Sequence, residues 1–205
     1  MIASGCAARA DVYPRRGYRQ DKTVLIVRAT GKLRQRLGSP TIREGEAATT
    51  LLGEWYATAL FWRPQVALLV NEPTLLPILM ALAPTATLPA RIPEQITAVL
   101  CAHGAPASIV DEETRRMRDW RLGPTANRSV VGVMNEFTHL AEAWRCDQPE
   151  PDLHALALRL ATTPCGPLYR THISPDRELA AVLRSIAAAS PDGDRGPGVD
   201  GGDSP

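Results

Sequence analysis

Lysine is nearly missing from this chain of 205 residues: Lys22 and Lys32 are the only two, and every other strong base is an arginine. That bias, with its abundant alanine and proline, reads as genome composition and carries no functional weight. Nowhere do about 18 apolar residues run together, so no membrane-spanning helix is expected. Residues 1–20 contain Arg9, Arg15 and Arg16 but no apolar stretch of about 7–15 residues, so no signal peptide is expected either. Cysteine is sparse. Cys6, Cys101, Cys146 and Cys165 form no C-x-x-C pair, which makes reduced thiols in the cytoplasm the expectation. A large excess of either charge is lacking as well: 23 basic against 22 acidic residues leave a net +1, which removes any global electrostatic case for a nucleic acid or an anionic membrane. The chain contains no Walker-type phosphate loop, no G-x-G-x-x-G, no G-x-S-x-G and no H-E-x-x-H.

What is present suits one globular domain. Hydrophobic residues make up 44% and charged residues 22%, enough for a real core. Residues 1–21 lack periodicity, and 190–205 are built from Pro, Gly, Asp and Ser with Val199 as the one sizeable apolar residue, so both ends are expected to be disordered. The organisation expected is an α+β domain over 22–148 and a helical extension over 149–189 packed on it.

Val24 to Val27 form a short, mostly β-branched run, which predicts a strand over Thr23–Ala29, followed by a helical turn at Lys32–Leu37 that Gly38 closes. Gly53–Trp62 and Val66–Asn71 read as two strands of a hairpin joined through Arg63-Pro64-Gln65. Glu72–Leu82 is predicted as a helix kinked at Pro77, and Pro93–His103 as a second helix capped by Gly104. Arg115–Leu122 alternates, and strand is favoured for its second half. Val130, Met134, Phe137, Ala141 and Trp144 recur three and four apart, which predicts a long helix over Asn127–Cys146 with Asn127 or Thr125 as N-cap. Leu153–Ala161 and Pro175–Ala188 are two more helices. Strands first and helices later predict a small antiparallel sheet covered on one side by helices.

Three motifs in register then carry a resemblance. Leu52-Gly53-Glu54-Trp55-Tyr56-Ala57, Val66 to Glu72 leading into Thr74-Leu75-Leu76-Pro77, and Asn127-Arg128-Ser129-Val130 continuing to Asn135-Glu136-Phe137 resemble the bacterial family known as domain of unknown function 6933. The segments Thr163–Tyr169 and Ser174–Leu179 look like an extension found in longer members. The chain departs from the family pattern at Ala29, where a cysteine is expected, which argues against thiol chemistry there. The resemblance implies no activity.

The candidate ligand-binding residues are Glu54, Trp55, Tyr56, Asn71, Asn127, Arg128, Ser129, Asn135, Glu136 and His139. Amides of a helix's first turn lack partners within the helix and favour anions, so Asn127, Arg128 and Ser129 could hold a phosphate or carboxylate, with Arg128 adding a planar fork. The alternative is that Asn127 caps and Arg128 pairs with an acidic neighbour. Glu136 and His139 have the spacing of a Glu-x-x-His ligand pair, but no second such pair occurs, so no metal or other cofactor is expected. Cys165 and His172 lack an oxyanion-hole motif beside them. Trp55, Tyr56, Phe61 and Trp62 place one aromatic pair on each face of a strand, so one pair is expected in the core and the other either exposed or covered by a helix. Arg115, Arg116, Arg118 and Arg121, offset by Asp111, Glu112, Glu113 and Asp119, read as a solvated charged segment, with nucleic acid as a weaker reading. The functional expectation is a soluble cytoplasmic binding or regulatory module for an anionic small molecule or a protein partner. The alternatives are a hydrolase or transferase acting on a phosphate-bearing substrate, and a nucleic-acid-associated or toxin–antitoxin component. Because the ends carry so little apolar surface, a chain lacking residues 1–20 and 191–205 is expected to melt as cooperatively as the whole; loss of the cooperative calorimetric transition overturns this.

Overall fold

The computed structural model describes residues 23–38, 41–145 and 151–189, so the expectations for the two ends and for Cys146 lie outside the described residues. The first strand, β1 (Val24–Ala29), is buried along almost its whole length, as its unbroken apolar run requires of a strand covered on both faces. Helix α1 (Gly31–Leu37) follows and buries only Leu33. Strands β2 (Trp55–Leu60) and β3 (Val66–Asn71) form the expected hairpin, with Trp55 opposite Asn71 and Leu60 opposite Val66. Gly53 stands at φ 74° just before β2, a conformation that favours glycine and turns the chain into the sheet.

A fourth strand, β4 (Pro77–Ala81), pairs antiparallel with β3. Next come α2 (Leu88–Ala102), α3 (Ala107–Arg116), β5 (Asp119–Pro124), α4 (Arg128–Arg145), α5 (Leu153–Ala161) and α6 (Pro175–Ala189). The sheet order is β4-β3-β2-β1-β5. Both contacts of β1, with β2 and with β5, are parallel.

The architecture is α+β, but the sheet is mixed and not purely antiparallel. It is also covered on both faces and not on one. Leu25, Val27, Trp55, Leu69 and Ile78 face a core shared with Leu33 of α1, Ile96 of α2, Ile109 of α3 and Leu179 of α6. Tyr56, Leu68, Val70 and Leu79 face a second core with Val130, Met134 and Phe137 of α4 and Leu156 and Leu160 of α5. Alternation along each strand therefore feeds two cores instead of one core and solvent.

Three elements depart from the sequence reading for physical reasons. Residues 72–82 are no helix: Asn71–Leu76 makes a tight turn with Leu75 at φ 58°, and Ile78 and Leu79 are buried on opposite faces. An unbroken apolar run has no period to distinguish helix from buried strand, and here the Asn71 turn returns the chain alongside β3. Helix α2 begins five residues before the predicted start and holds Pro93 inside it, because Leu88, Ile92, Ile96 and Val99 all reach the core from one face. The first part of the charged segment belongs to helix α3, which buries Glu113 together with Ile109 and Val110, four and three residues before it, beneath that charge. The aromatic hairpin also differs from the expected division: Trp55, Tyr56 and Trp62 are all buried, and Phe61 alone of the four is exposed, at 54%.

Burial on both faces makes β4 unusually sensitive. Ile78→Ala and Leu79→Ala, which remove adjacent side chains from opposite cores, are each expected to cost about 2–5 kcal/mol in urea unfolding. A helix with one buried face would lose heavily at only one of them, so a near-neutral result at either position overturns the two-core assignment.

Candidate functional site

The carboxyl ends of β1 and β5 meet the start of β2 at one end of the sheet, and the polar residues gather there. Arg28 is the single charge in β1 and lies beside Tyr56 and Gly123 in the strand register. Its guanidinium pairs with Glu54 through Nε and through Nη2 at 3.1 Å, while Nη1 donates to the Pro124 carbonyl at 3.3 Å. One side chain thus ties the approach to β2 to the end of β5.

Tyr56 buries its ring in the α4 core and aims its hydroxyl at the start of α4. That oxygen accepts the Asn127 backbone N–H at 3.0 Å and donates to Glu72 across a long 3.4 Å. Glu72 also accepts from the Asn127 side-chain amide at 3.0 Å. The Asn127 oxygen in turn accepts the Ser129 N–H at 3.0 Å and the Val130 N–H at 3.5 Å, so Asn127 is the N-cap of α4. Burial pushes the Tyr56 phenol above its ordinary range; the Asn127 N–H opposes this and the Glu72 charge adds to it. The phenol stays a donor toward Glu72 at neutral pH. The Glu72 carboxylate in turn sits beside the positive end of the α4 dipole.

Asn71 is fully buried, and each of its hydrogen-bonding positions is filled. Its NH2 donates to the carbonyls of Leu52 at 2.9 Å and Glu54 at 3.3 Å, and its oxygen accepts the Thr74 N–H at 3.1 Å and the Thr74 hydroxyl at 2.7 Å. Four of the sequence candidates, Glu54, Tyr56, Asn71 and Asn127, therefore come together around Arg28 and Glu72. Trp55 does not join them: it faces the opposite core, with its buried Nε1 lacking a hydrogen-bond partner. Arg128 and Ser129 are exposed on the first turn of α4. Asn135, Glu136 and His139 are exposed further along the same helix, about 12 Å or more from Asn127 at 1.5 Å per residue.

A family model described as a domain of unknown function, DUF6933, matches residues 26–178. The chain belongs to this family. No curated protein and no solved structure matches it. Membership in DUF6933 brings no activity, so the chemistry of the side chains carries the functional reading.

Within this DUF6933 chain, the two residues at the centre of the cluster, Arg28 and Glu72, are not among the sequence candidates. Arg28 had a detectable signal, a lone charge inside an apolar strand. Glu72 closes the second family motif, but nothing local points to its role, because its meeting with Asn127 spans 55 residues. Three of the four clustered arginines are paired: Arg115 and Arg116 bind Glu112 at 2.7 and 2.6 Å, and Arg121 binds Glu46 at 3.2 Å. Burial, with a contribution from Glu136, pushes the Cys165 thiol up to about 11, and His172 pairs with Glu178 at 2.9 Å, so the Cys165 thiolate is not available near neutral pH. Among the described residues no group of three or more His, Cys, Asp or Glu side chains is placed to hold a metal ion.

The chain leading into Glu54 rests on one buried acid. Glu113 of α3 is fully buried and accepts the backbone N–H groups of Leu51 and Leu52. Burial raises its pKa despite those two donors. With its folded pKa above the unfolded value, the folded state binds the extra proton first, and stability contributed by protonation is lost as pH rises through the folded pKa. Glu113→Gln is therefore expected to flatten the decline in unfolding free energy just above the ordinary carboxylate range. An unchanged pH profile in the variant overturns this.

Proposed function

We propose that this protein is a non-catalytic binding or regulatory module, and that its working surface is the crevice where β1 and β5 end. The observation that carries this is topological. The two strands are parallel neighbours, yet the helix after β1 packs on one face of the sheet and the helix after β5 on the other. Where successive helices leave to opposite sides, the chain parts and a crevice opens at the carboxyl ends of the strands, the usual ligand position in open sheets of this kind. The argument is one of architecture, and the side chains supply the chemistry.

The exposed polar groups at the start of α4 are Arg128 and Ser129, while the Lys32 ammonium of α1 is turned to the Phe61 ring. A guanidinium and a hydroxyl suit a small anionic ligand. The α4 amides of Asn127, Ser129 and Val130 are already accepted within the fold, so the planar fork of Arg128 is the principal holder. Binding is favoured over catalysis because the groups best suited to proton transfer, Tyr56 and Glu72, are hydrogen-bonded to the α4 cap, and Arg28 is paired with Glu54. The hydrolase or transferase alternative needs Arg128 and Ser129 to act with Glu136 or His139, which lie seven to eleven residues along the helix, about 10–16 Å away. The free thiols of Cys101 and Cys165 suit a reducing compartment, and a bacterial cytoplasm completes the proposal.

Arg128→Lys separates the clamp from a mere surface charge, because it keeps the charge and removes the fork. The variant is expected to melt within a few degrees of the parent, as for a change of about 1 kcal/mol or less, while losing the extra stabilisation that phosphate or a phosphorylated metabolite gives the parent. The difference between parent and variant at equal salt is the measured quantity, since phosphate also stabilises proteins by exclusion. A parent whose melting responds to these anions no more than the variant's overturns the clamp.

A further inference from the structure

The tip of the β2–β3 hairpin carries a second feature that the crevice does not use. Phe61 follows β2 and leaves more than half of its surface in solvent, although its neighbours Leu60 and Trp62 are buried. Burying such a ring is favourable, yet what the fold sets against it is charge. The Lys32 ammonium stands 5.1 Å and the Arg36 guanidinium carbon 5.5 Å from the ring centre. Arg36 also donates from Nη1 to the Gln65 side-chain oxygen at 2.8 Å, so α1 is tied to both arms of the tip. The ring is thus held in position by cations while it stays open to solvent.

The charge beside the ring is of one sign. Helix α1 has 7 residues, of which Lys32, Arg34 and Arg36 are exposed cations and Leu33 alone is buried. The sequence holds no Asp or Glu at 29–43 or at 55–71, the stretches that contain α1 and the whole hairpin. The partners of Lys32 and Arg36 at the tip, a phenyl ring and an amide oxygen, are neutral, so their charge remains available to an anion. Net charge over the whole chain does not bear on this, because charges beyond a Debye length of about 8–10 Å are screened.

We propose that this tip binds single-stranded nucleic acid, with a base stacked on Phe61 and the flanking phosphates on Lys32, Arg34 and Arg36. A flat exposed ring bordered by cations complements the two parts of a nucleotide, its base and its phosphate. A duplex keeps its bases stacked inside and offers this surface phosphates alone. An acidic peptide would satisfy the cations and leave the ring without a flat partner. Insertion into a membrane would carry the two cations over the ring toward hydrocarbon, at a desolvation cost that opposes it. The surface shares no residue with the Arg128 clamp, so either stands or falls without the other.

The test follows the fluorescence anisotropy of a labelled oligothymidine of about 12 nucleotides, titrated with the full chain at several salt concentrations. Saturable binding is expected at low salt, with log K falling against log salt at a slope of about −2, the value for three phosphates of a single strand. Phe61→Ala is expected to weaken binding about tenfold and keep the slope, whereas Phe61→Tyr, which retains a ring, binds as the parent does. Arg34→Gln combined with Arg36→Gln is expected to make the slope shallower by about 1.4. The exposed Arg184→Gln on α6 controls for the loss of one positive charge and is expected to match the parent. The same strand annealed to its complement, a polyglutamate peptide and vesicles containing anionic lipid are each expected to bind at least about tenfold more weakly, for want of a base to stack. If Phe61→Ala fails to melt cooperatively, the double arginine variant decides. No binding at low salt, equal or tighter binding of any comparison probe, parent affinity in a folded Phe61→Ala, or an unchanged slope in the arginine variant overturns the proposal.

Discussion

The side-chain amide of Asn71 is the constraint on which the polar end of the molecule depends. It holds the carbonyls of Leu52 and Glu54 with its two N–H groups and the Thr74 turn with its oxygen. Those four bonds join the approach to β2 to the loop between β3 and β4. They also fix Glu54 and Glu72, the two carboxylates of the cluster, at adjacent points of the sheet edge; the Glu72 N–H itself donates to the Glu54 carbonyl at 2.9 Å. A buried amide with all its positions filled is favourable, whereas the same amide missing a partner is costly. The geometry around Glu72 is therefore set by the interior, before any ligand is considered.

From that base the rest of the site follows by reach. Glu72 accepts from Asn127, Asn127 caps α4, and Tyr56 braces the cap from within the α4 core. Arg28 closes the other side by bridging Glu54 and the end of β5. The cluster links β1, β2, β3, β5 and α4 through side chains that bond both to one another and to the backbone. Its polar groups satisfy one another, which makes it a frame that positions the exposed residues of α1 and α4 more than a set of reactive groups.

The two-faced sheet decides where such exposed residues can lie. A sheet covered on one side would present a broad solvent face, and the aromatic hairpin would be its natural working surface. Here α4 and α5 cover that face, and Trp62 becomes the floor of a cavity under Arg145. Phe61 is left at the hairpin tip, where Lys32 and Arg36 of α1 lie 5.1 and 5.5 Å from its ring centre. Among the described residues of the sheet, exposure is confined to strand ends and the hairpin tip, the places where the layers part.

Much of the fold was legible in the residues taken alone. The short β-branched run of β1, the hairpin turn at Arg63-Pro64-Gln65, the three-and-four spacing of α4 and the Asn127 cap are local patterns, and local sterics and hydrogen bonding decide them. The family motifs supplied Glu54, Asn71 and Asn127, which the fold brings to one end of the sheet. Local pattern could not say that β1 pairs in parallel with both neighbours, that residues 77–81 extend beside β3, or that Glu113 is buried. Each of these depends on partners 7 to 95 residues away. The same distance hid the roles of Glu72 and Arg28, which exist only because the sheet brings Asn127 and Glu54 to them. Periodicity reports which residues avoid water; it takes the packed layers to decide which of the polar ones meet.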